Sequence, residues 1–193
     1  MPTHQKSFAE PERIIQYCDI KKGDYVADFG AGHGYFVIPI ARKVGGDGKV
    51  YAIDIQRTVL DVIRSKAKLE HLLNIECIWA DLELPNGSKL KDGFLNFVLI
   101  SNSLFQVENK AAYFFESARV LSENGRLAVI EWDDTPTSLG PSISQRVKKN
   151  TVRELAIRAG FSFDREFEAG SHHYGLLFYK NPPEEKNPSW IKK

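Results

Sequence analysis

The sequence predicts an α/β domain in which helices cover both faces of a mostly parallel sheet that carries one reversed strand. A short apolar run, Tyr25 to Phe29, is closed by a cluster of glycines and followed by helical spacing. The same alternation of strand and helix repeats as far as Trp132, as expected of βα units wound into a parallel sheet. Near the C-terminus two apolar runs are joined by only a few residues, too few for a parallel crossover.

In chain order, Tyr25 to Phe29 is the first strand, and from Phe36 to Val44 apolar residues fall three and four apart, as on one face of a helix. Gly45 to Gly48 stops that helix. Val50 to Ile53 is β-branched or small and ends in Asp54, and Val59 to Leu73 returns to helical spacing with charges on one side. Ile75 to Trp79 and Leu95 to Ile100 read as the third and fourth strands. Ala111 to Leu121 predicts a helix stopped by Asn124-Gly125, with Leu127 to Trp132 as the fifth strand. Asp134 to Ser144, with its prolines, glycine and hydroxyl residues, is a loop. Thr151 to Ala159 predicts a helix stopped by Gly160. Phe161 to Phe167 and Tyr174 to Tyr179 then form an antiparallel hairpin around Gly170.

A chain of 193 residues fits one core. We expect a single domain over residues 1 to 180, with an N-terminal cap segment of about 1 to 22 and a flexible tail over 181 to 193, in which only Trp190 and Ile191 are able to dock. Hydrophobic residues make up 42% and charged residues 26%, which excludes a disordered or fibrous chain. The net charge of +1 supplies no broad basic field for nucleic acid or anionic lipid. No apolar stretch reaches the roughly 20 residues of a membrane helix, and Met1 to Phe8 lacks an apolar signal region. Cys18 and Cys77 form neither a disulfide framework nor a zinc motif, so we expect no metal and a reduced, cytoplasmic compartment.

The candidate site begins at Asp28-Phe29-Gly30-Ala31-Gly32-His33-Gly34. Glycines between a strand and a helix allow a tight turn and a close backbone approach, and the helix N-terminus beyond presents free N–H groups. In the dinucleotide spacing G-x-G-x-x-G the third glycine falls at position 35, which is Tyr35 here. Asp28 would repel a pyrophosphate and suits a cationic ligand or a ligand amine. Asp54, at the end of the second strand, can accept hydrogen bonds from both hydroxyls of an adenosine ribose, an arrangement that suits NAD equally well. Asp81 can accept from an adenine amino group, with Leu82 and Ile55 offering apolar faces to the ring.

On these residues the chain resembles the class I S-adenosylmethionine-dependent methyltransferases over about residues 8 to 180. The resemblance is carried by VADFGAGHGYF (26 to 36), VYAIDI (50 to 55), WADLE (79 to 83), NFVLISNSLFQV (96 to 107) and RVLSENGRLAVIEW (119 to 132). Within that superfamily it looks most like the small ubiquinone and menaquinone biosynthesis methyltransferases. The resemblance implies a doubly wound, Rossmann-like sheet of seven strands with the last one antiparallel, and S-adenosylmethionine as cofactor. It further implies that Asp28 lies near the methionine amino group, that Gly30, Ala31, Gly32 and Gly34 pass under the methionine and ribose, and that Asp54 binds the ribose. Asp81 and Leu82 would bind adenine, Asn102 would contact the methionine part, and Leu104 and Phe105 would help to close the pocket.

The sulfonium of such a cofactor makes its methyl group reactive, so the protein's task is alignment and exclusion of water, with a base where the acceptor must lose a proton. The antiparallel last strand brings His173 and Tyr174 toward Trp132 and Asp133, and His173, Tyr174 and Asp133 are the candidate catalytic residues. His33 is a further candidate on the glycine turn, and Phe8 is a candidate lid residue ahead of the amphipathic Ile14 to Cys18. The expected acceptor is a small molecule or lipid-like compound. An acceptor on RNA or protein, served by Lys148, Lys149 and Arg153, and a non-catalytic cofactor-binding partner subunit are the alternatives.

Overall fold

The computed structural model describes residues 10–181. Its strands are β1 (Tyr25–Phe29), β2 (Lys49–Asp54), β3 (Ile75–Trp79), β4 (Leu95–Ser101), β5 (Leu121–Trp132), β6 (Phe161–Glu168) and β7 (His173–Lys180). They form one seven-stranded sheet in the order β3-β2-β1-β4-β5-β7-β6. β1 to β5 pair in parallel, and β7 runs antiparallel to both β5 and β6. β7 is therefore the one reversed strand, as the short connection around Gly170 requires.

Helices α1 (Pro11–Tyr17), α2 (Val37–Val44) and α3 (Arg57–Leu69) lie on one face, and α4 (Lys110–Val120) and α5 (Lys149–Arg158) on the other. Successive strand residues serve opposite cores. Val26, Phe97, Leu99 and Ile130 pack with the first three helices, while Ala27, Phe29, Val98 and Val129 pack with the other two. Burial on both faces is why β1 and β4 are apolar on both sides rather than alternating, with Asp28 and Asn96 as polar exceptions.

Two boundaries differ from the sequence expectation. α3 ends at Leu69 instead of running to Leu73, because His71 adopts φ +54 and Leu73, 98% exposed, has no face to bury. Asn124-Gly125 does not separate α4 from a later strand: α4 passes directly into β5 at Leu121. The ladder to β4 shifts register between Leu95↔Leu121 and Phe97↔Arg126, and Asn124 takes up the irregularity at φ +62. At the N-terminus α1 buries Ile14, Ile15 and Cys18 in the core beside α2, so this stretch covers a sheet face. Phe8, Ala9, Trp190 and Ile191 lie outside the described residues.

Candidate cofactor and acceptor sites

The chain leaves the sheet in opposite directions from β1 and β4, and a cleft opens between their carboxyl ends. A cavity of about 770 Å³ occupies it. Gly30, Ala31 and Gly32 line it from the first turn, Asp28 from β1, Asp54 and Ile55 from the end of β2, Asp81 and Leu82 from beyond β3, and Asn102 from beyond β4. Exposed His33 lines it as well.

The turn is held open by its own backbone. The N–H groups of Gly30 and Ala31 donate to the Ile53 carbonyl at 2.9 and 3.0 Å. Gly32 N–H donates to Asp54 Oδ2 at 2.9 Å, and Gln56 N–H to Asp54 Oδ1 at 2.8 Å. Asp54 is thereby fixed in orientation, with acceptor capacity left on each oxygen. At Gly30 a Cβ would lie 2.7 Å from Ser103 Cβ, so only glycine lets the segment after β4 close on the turn. Gly34 is absent from the lining. Its φ is +78 and a Cβ there would lie 2.8 Å from Ile63 Cγ1, so this glycine seats the turn against α3.

The cavity is acidic. Asp28, Asp54, Asp81 and Glu83 line it, and no Lys or Arg does among the described residues. Asp28 is 2% exposed, and its buried Oδ1 has no hydrogen-bond partner. Burial, then the neighbouring Asp54 charge, push its carboxyl up to about 7. A carboxylate in that position lacks a cation. Asn102, at φ +49, donates its N–H to the Ile130 carbonyl at 2.8 Å and leaves Oδ1 buried and unpartnered.

Leu104 and Phe105 do not line the cavity. They belong to the core under the 3₁₀ turn Leu104–Gln106, and Gln106 and Val107 face the cavity in their place. Tyr113 lines it too, its ring edge-on to Phe29 with centroids 6.2 Å apart. Sequence reasoning missed Tyr113 because its spacing on α4 is simply that of the core. It also missed Glu131, whose signal was an acid inside an otherwise apolar strand.

On the other side of β5, the register pairs Trp132 with His173 and Glu131 with Tyr174, as the antiparallel argument expected. The Trp132 and His173 ring centroids are 4.2 Å apart, and Asp133 N–H donates to the His172 carbonyl at 2.9 Å. His173, Tyr174 and Asp133 thus meet one another, yet none lines the 770 Å³ cavity. They line a separate depression of about 510 Å³ with Glu166, Ser171 and His172. Tyr174 donates its hydroxyl to the Val147 carbonyl at 2.6 Å, and burial raises its pKa above the ordinary phenol value. His173 Nδ1 lies 2.9 Å from the Ser171 carbonyl, Nε2 is buried without a partner, and burial lowers the imidazole below its usual range. Lys149 and Arg153 both pair with Glu166, so one of the three charges of the basic group proposed for RNA is offset.

A family model described as a methyltransferase domain matches residues 20–175. The chain belongs to the class I S-adenosylmethionine-dependent methyltransferases. Among curated proteins, the chain is 34% identical over 123 residues to the ubiquinone/menaquinone biosynthesis C-methyltransferase UbiE of Francisella philomiragia, covering 63% of this chain and 48% of the relative. It is 28% identical over 137 residues to the demethylmenaquinone methyltransferase of Bacillus mycoides, covering 70% of this chain and 56% of the relative. The chain therefore spans about half the length of the curated relatives it matches. Among solved structures, a SAM-dependent methyltransferase from Aquifex aeolicus superposes with a TM-score of 0.81 at 25% identity, covering 89% of this chain and 90% of that one. No helix among the described residues is long and apolar enough to cross a membrane.

Proposed function

We propose that this methyltransferase binds S-adenosylmethionine in the 770 Å³ cavity and transfers its methyl group to a small-molecule or lipid-like acceptor by in-line displacement. The observation that carries the cofactor assignment is the buried Asp28, whose Oδ1 has no partner, in a cavity lined by acids and by no Lys or Arg among the described residues. A ligand bearing an ammonium and a sulfonium fits that donor set, and a pyrophosphate does not. When bound, S-adenosylmethionine supplies a methyl group already activated by the sulfonium.

The chain's own residues orient and shield. Asp28 pairs the ammonium, Asp54 accepts from the ribose, Asp81 from the adenine amino group, and Leu82 and Ile55 flank the ring. The backbone of Gly30, Ala31 and Gly32 lies under the ligand, and Asn102 offers its free oxygen from the opposite wall. Gly34 shapes the turn without touching the ligand. We assign His173 as the base for an acceptor that reaches from the cavity into the 510 Å³ depression and must lose a proton: its buried Nε2 has no partner, and burial lowers its imidazole below the usual range. Asp133 favours the imidazolium that would form, and Tyr174, already bonded to Val147, holds the hairpin in place. The curated relatives are named for quinone biosynthesis, so a neutral, ring-containing acceptor of that kind is the first class to screen.

The test is calorimetric titration with S-adenosylmethionine, S-adenosylhomocysteine and NAD, on the native chain and on Asp54→Ala. Micromolar binding of the first two, at least about tenfold weaker in the variant, is expected from the loss of a charge-assisted hydrogen bond. Binding of NAD alone would reject the assignment.

A further inference from the structure

Glu131 is the most enclosed acid among the described residues, with 0% of its surface exposed, and it belongs to neither set of residues assigned above. It stands on β5, one residue before Trp132, and its side chain reaches across to the segment that follows β4. Oε1 accepts hydrogen bonds from the N–H groups of Ser103 at 2.9 Å and Leu104 at 2.7 Å. These are the first donors of the 3₁₀ turn Leu104–Gln106, which no side-chain cap of its own satisfies. Oε2 is buried and has no partner among the described residues.

The segment held in this way is the cavity wall. Ser101, Asn102, Ser103, Gln106 and Val107 all face the cavity, and Ser103 Cβ presses on the space above Gly30. Three consecutive N–H groups of this wall end on β5: Asn102 on the Ile130 carbonyl, then Ser103 and Leu104 on the Glu131 carboxylate. Asn102 sits in the left-handed region, which Asn enters more readily than most residues, and its N–H bond to Ile130 keeps it there. Burying an acid in an apolar strand is costly, and two backbone bonds are a modest return for it within the strand itself. The return is geometric and lies at the cavity.

We propose that Glu131 is a positioning residue for the cofactor: its carboxylate fixes the Asn102–Leu104 wall against the glycine turn, so that the wall's shape depends on a side chain that touches no ligand. The proposal rests on the cavity being the S-adenosylmethionine site. One acceptor oxygen is enough for both bonds, so Gln can replace Glu131, whereas the shorter Asp cannot reach and Ala leaves both donors empty.

The experiment compares the native chain with E131Q, E131D and E131A in two readouts. The first is amide hydrogen exchange at Ser103 and Leu104 in the ligand-free protein. The second is the dissociation constant for S-adenosylhomocysteine, with Phe161→Leu, a core change at the far end of the sheet, as the control for general destabilisation. In E131D and E131A exchange at the two amides is expected to accelerate at least about tenfold and affinity to fall at least about tenfold, with E131Q within about threefold of the native chain in both. Native exchange rates in E131D, or an E131Q as impaired as E131D, would overturn the positioning role. So would an affinity loss in E131D no larger than that of F161L. Should E131A fail to fold, the Gln and Asp pair still decides. If the native chain binds neither S-adenosylmethionine nor its demethylated product, the cofactor assignment falls and takes the cofactor role with it. The exchange readout shows separately whether Glu131 holds the wall.

Discussion

At the scale of single residues, Asp28 sets stability against function. An unfolded aspartate ionises near pH 4, whereas burial and then the Asp54 charge keep the Asp28 carboxyl protonated up to about 7. Between those values the folded state holds a proton that the unfolded chain has released, so the contribution of Asp28 to stability is full below about pH 4 and is lost as pH rises through about 7. Glu131, also raised to about 7 by burial, acts in the same direction, its hydrogen bonds from Leu104 and Ser103 working against the shift. Asp28→Asn is therefore expected to stabilise the ligand-free protein by about 1–3 kcal/mol at pH 8 and to change it little at pH 4, read by thermal melts at the two pH values. The same variant should bind S-adenosylmethionine at least about tenfold more weakly, because the ammonium loses its counter-charge. In the native chain, affinity should rise as pH approaches 7 and more of Asp28 ionises. A variant that is both destabilised at pH 8 and unimpaired in binding would contradict the assignment.

At the scale of elements, the strand–turn–helix unit at β1 shows what spacing could and could not tell. Its glycines were legible because a run of them between a strand and a helix has few other uses, and Asp28 and Asp54 were legible because they fall at the carboxyl ends of strands, Asp54 as the last residue of β2 and Asp28 one before the last of β1. What spacing could not resolve is which glycine meets the ligand and which meets the protein. Gly32 lines the cavity, while Gly34 lies against Ile63 on α3, a contact between segments far apart in sequence. Gly34→Ala places a Cβ 2.8 Å from Ile63 Cγ1 at a φ of +78, and should destabilise by about 1–3 kcal/mol in urea unfolding. Cofactor affinity of the folded fraction should stay within about threefold. The sequence missed the early end of α3 and the passage of α4 into β5 for a related reason. Leu73 continues the helical spacing but has no surface to pack on, and Asn124-Gly125 serves a sheet irregularity as well as it would serve a helix stop.

For the whole molecule, the order of strands decides which residues can cooperate. The reversal between β1 and β4 makes the cofactor cavity, and the insertion of β7 between β5 and β6 carries the start of β7 back to the end of β5. That placement was readable from the length of one connection. The depth of each side chain was not, because burial depends on how the loop from Asp133 to Lys148 folds back. Arg146 holds that loop by donating to the Asp133 and Thr135 carbonyls at 2.7 and 2.8 Å, and Val147 engages the Tyr174 hydroxyl. Tyr174 and His173 are neighbours in sequence, yet one is committed to the scaffold and the other keeps a free nitrogen. Their variants should separate accordingly. Tyr174→Phe leaves the Val147 carbonyl without its donor and should cost about 1 kcal/mol of stability, with turnover per folded molecule within about threefold. His173→Ala should leave cofactor affinity unchanged, since His173 lines only the 510 Å³ depression, and should lower methyl transfer about a hundredfold where the acceptor must lose a proton. The loss should be greatest near neutral pH, where the imidazole is neutral, and should shrink as pH falls below its lowered pKa and the native base becomes protonated. A pH-rate profile of the two variants on one acceptor checks both expectations: a His173→Ala enzyme with native turnover and a native profile would remove the base from β7.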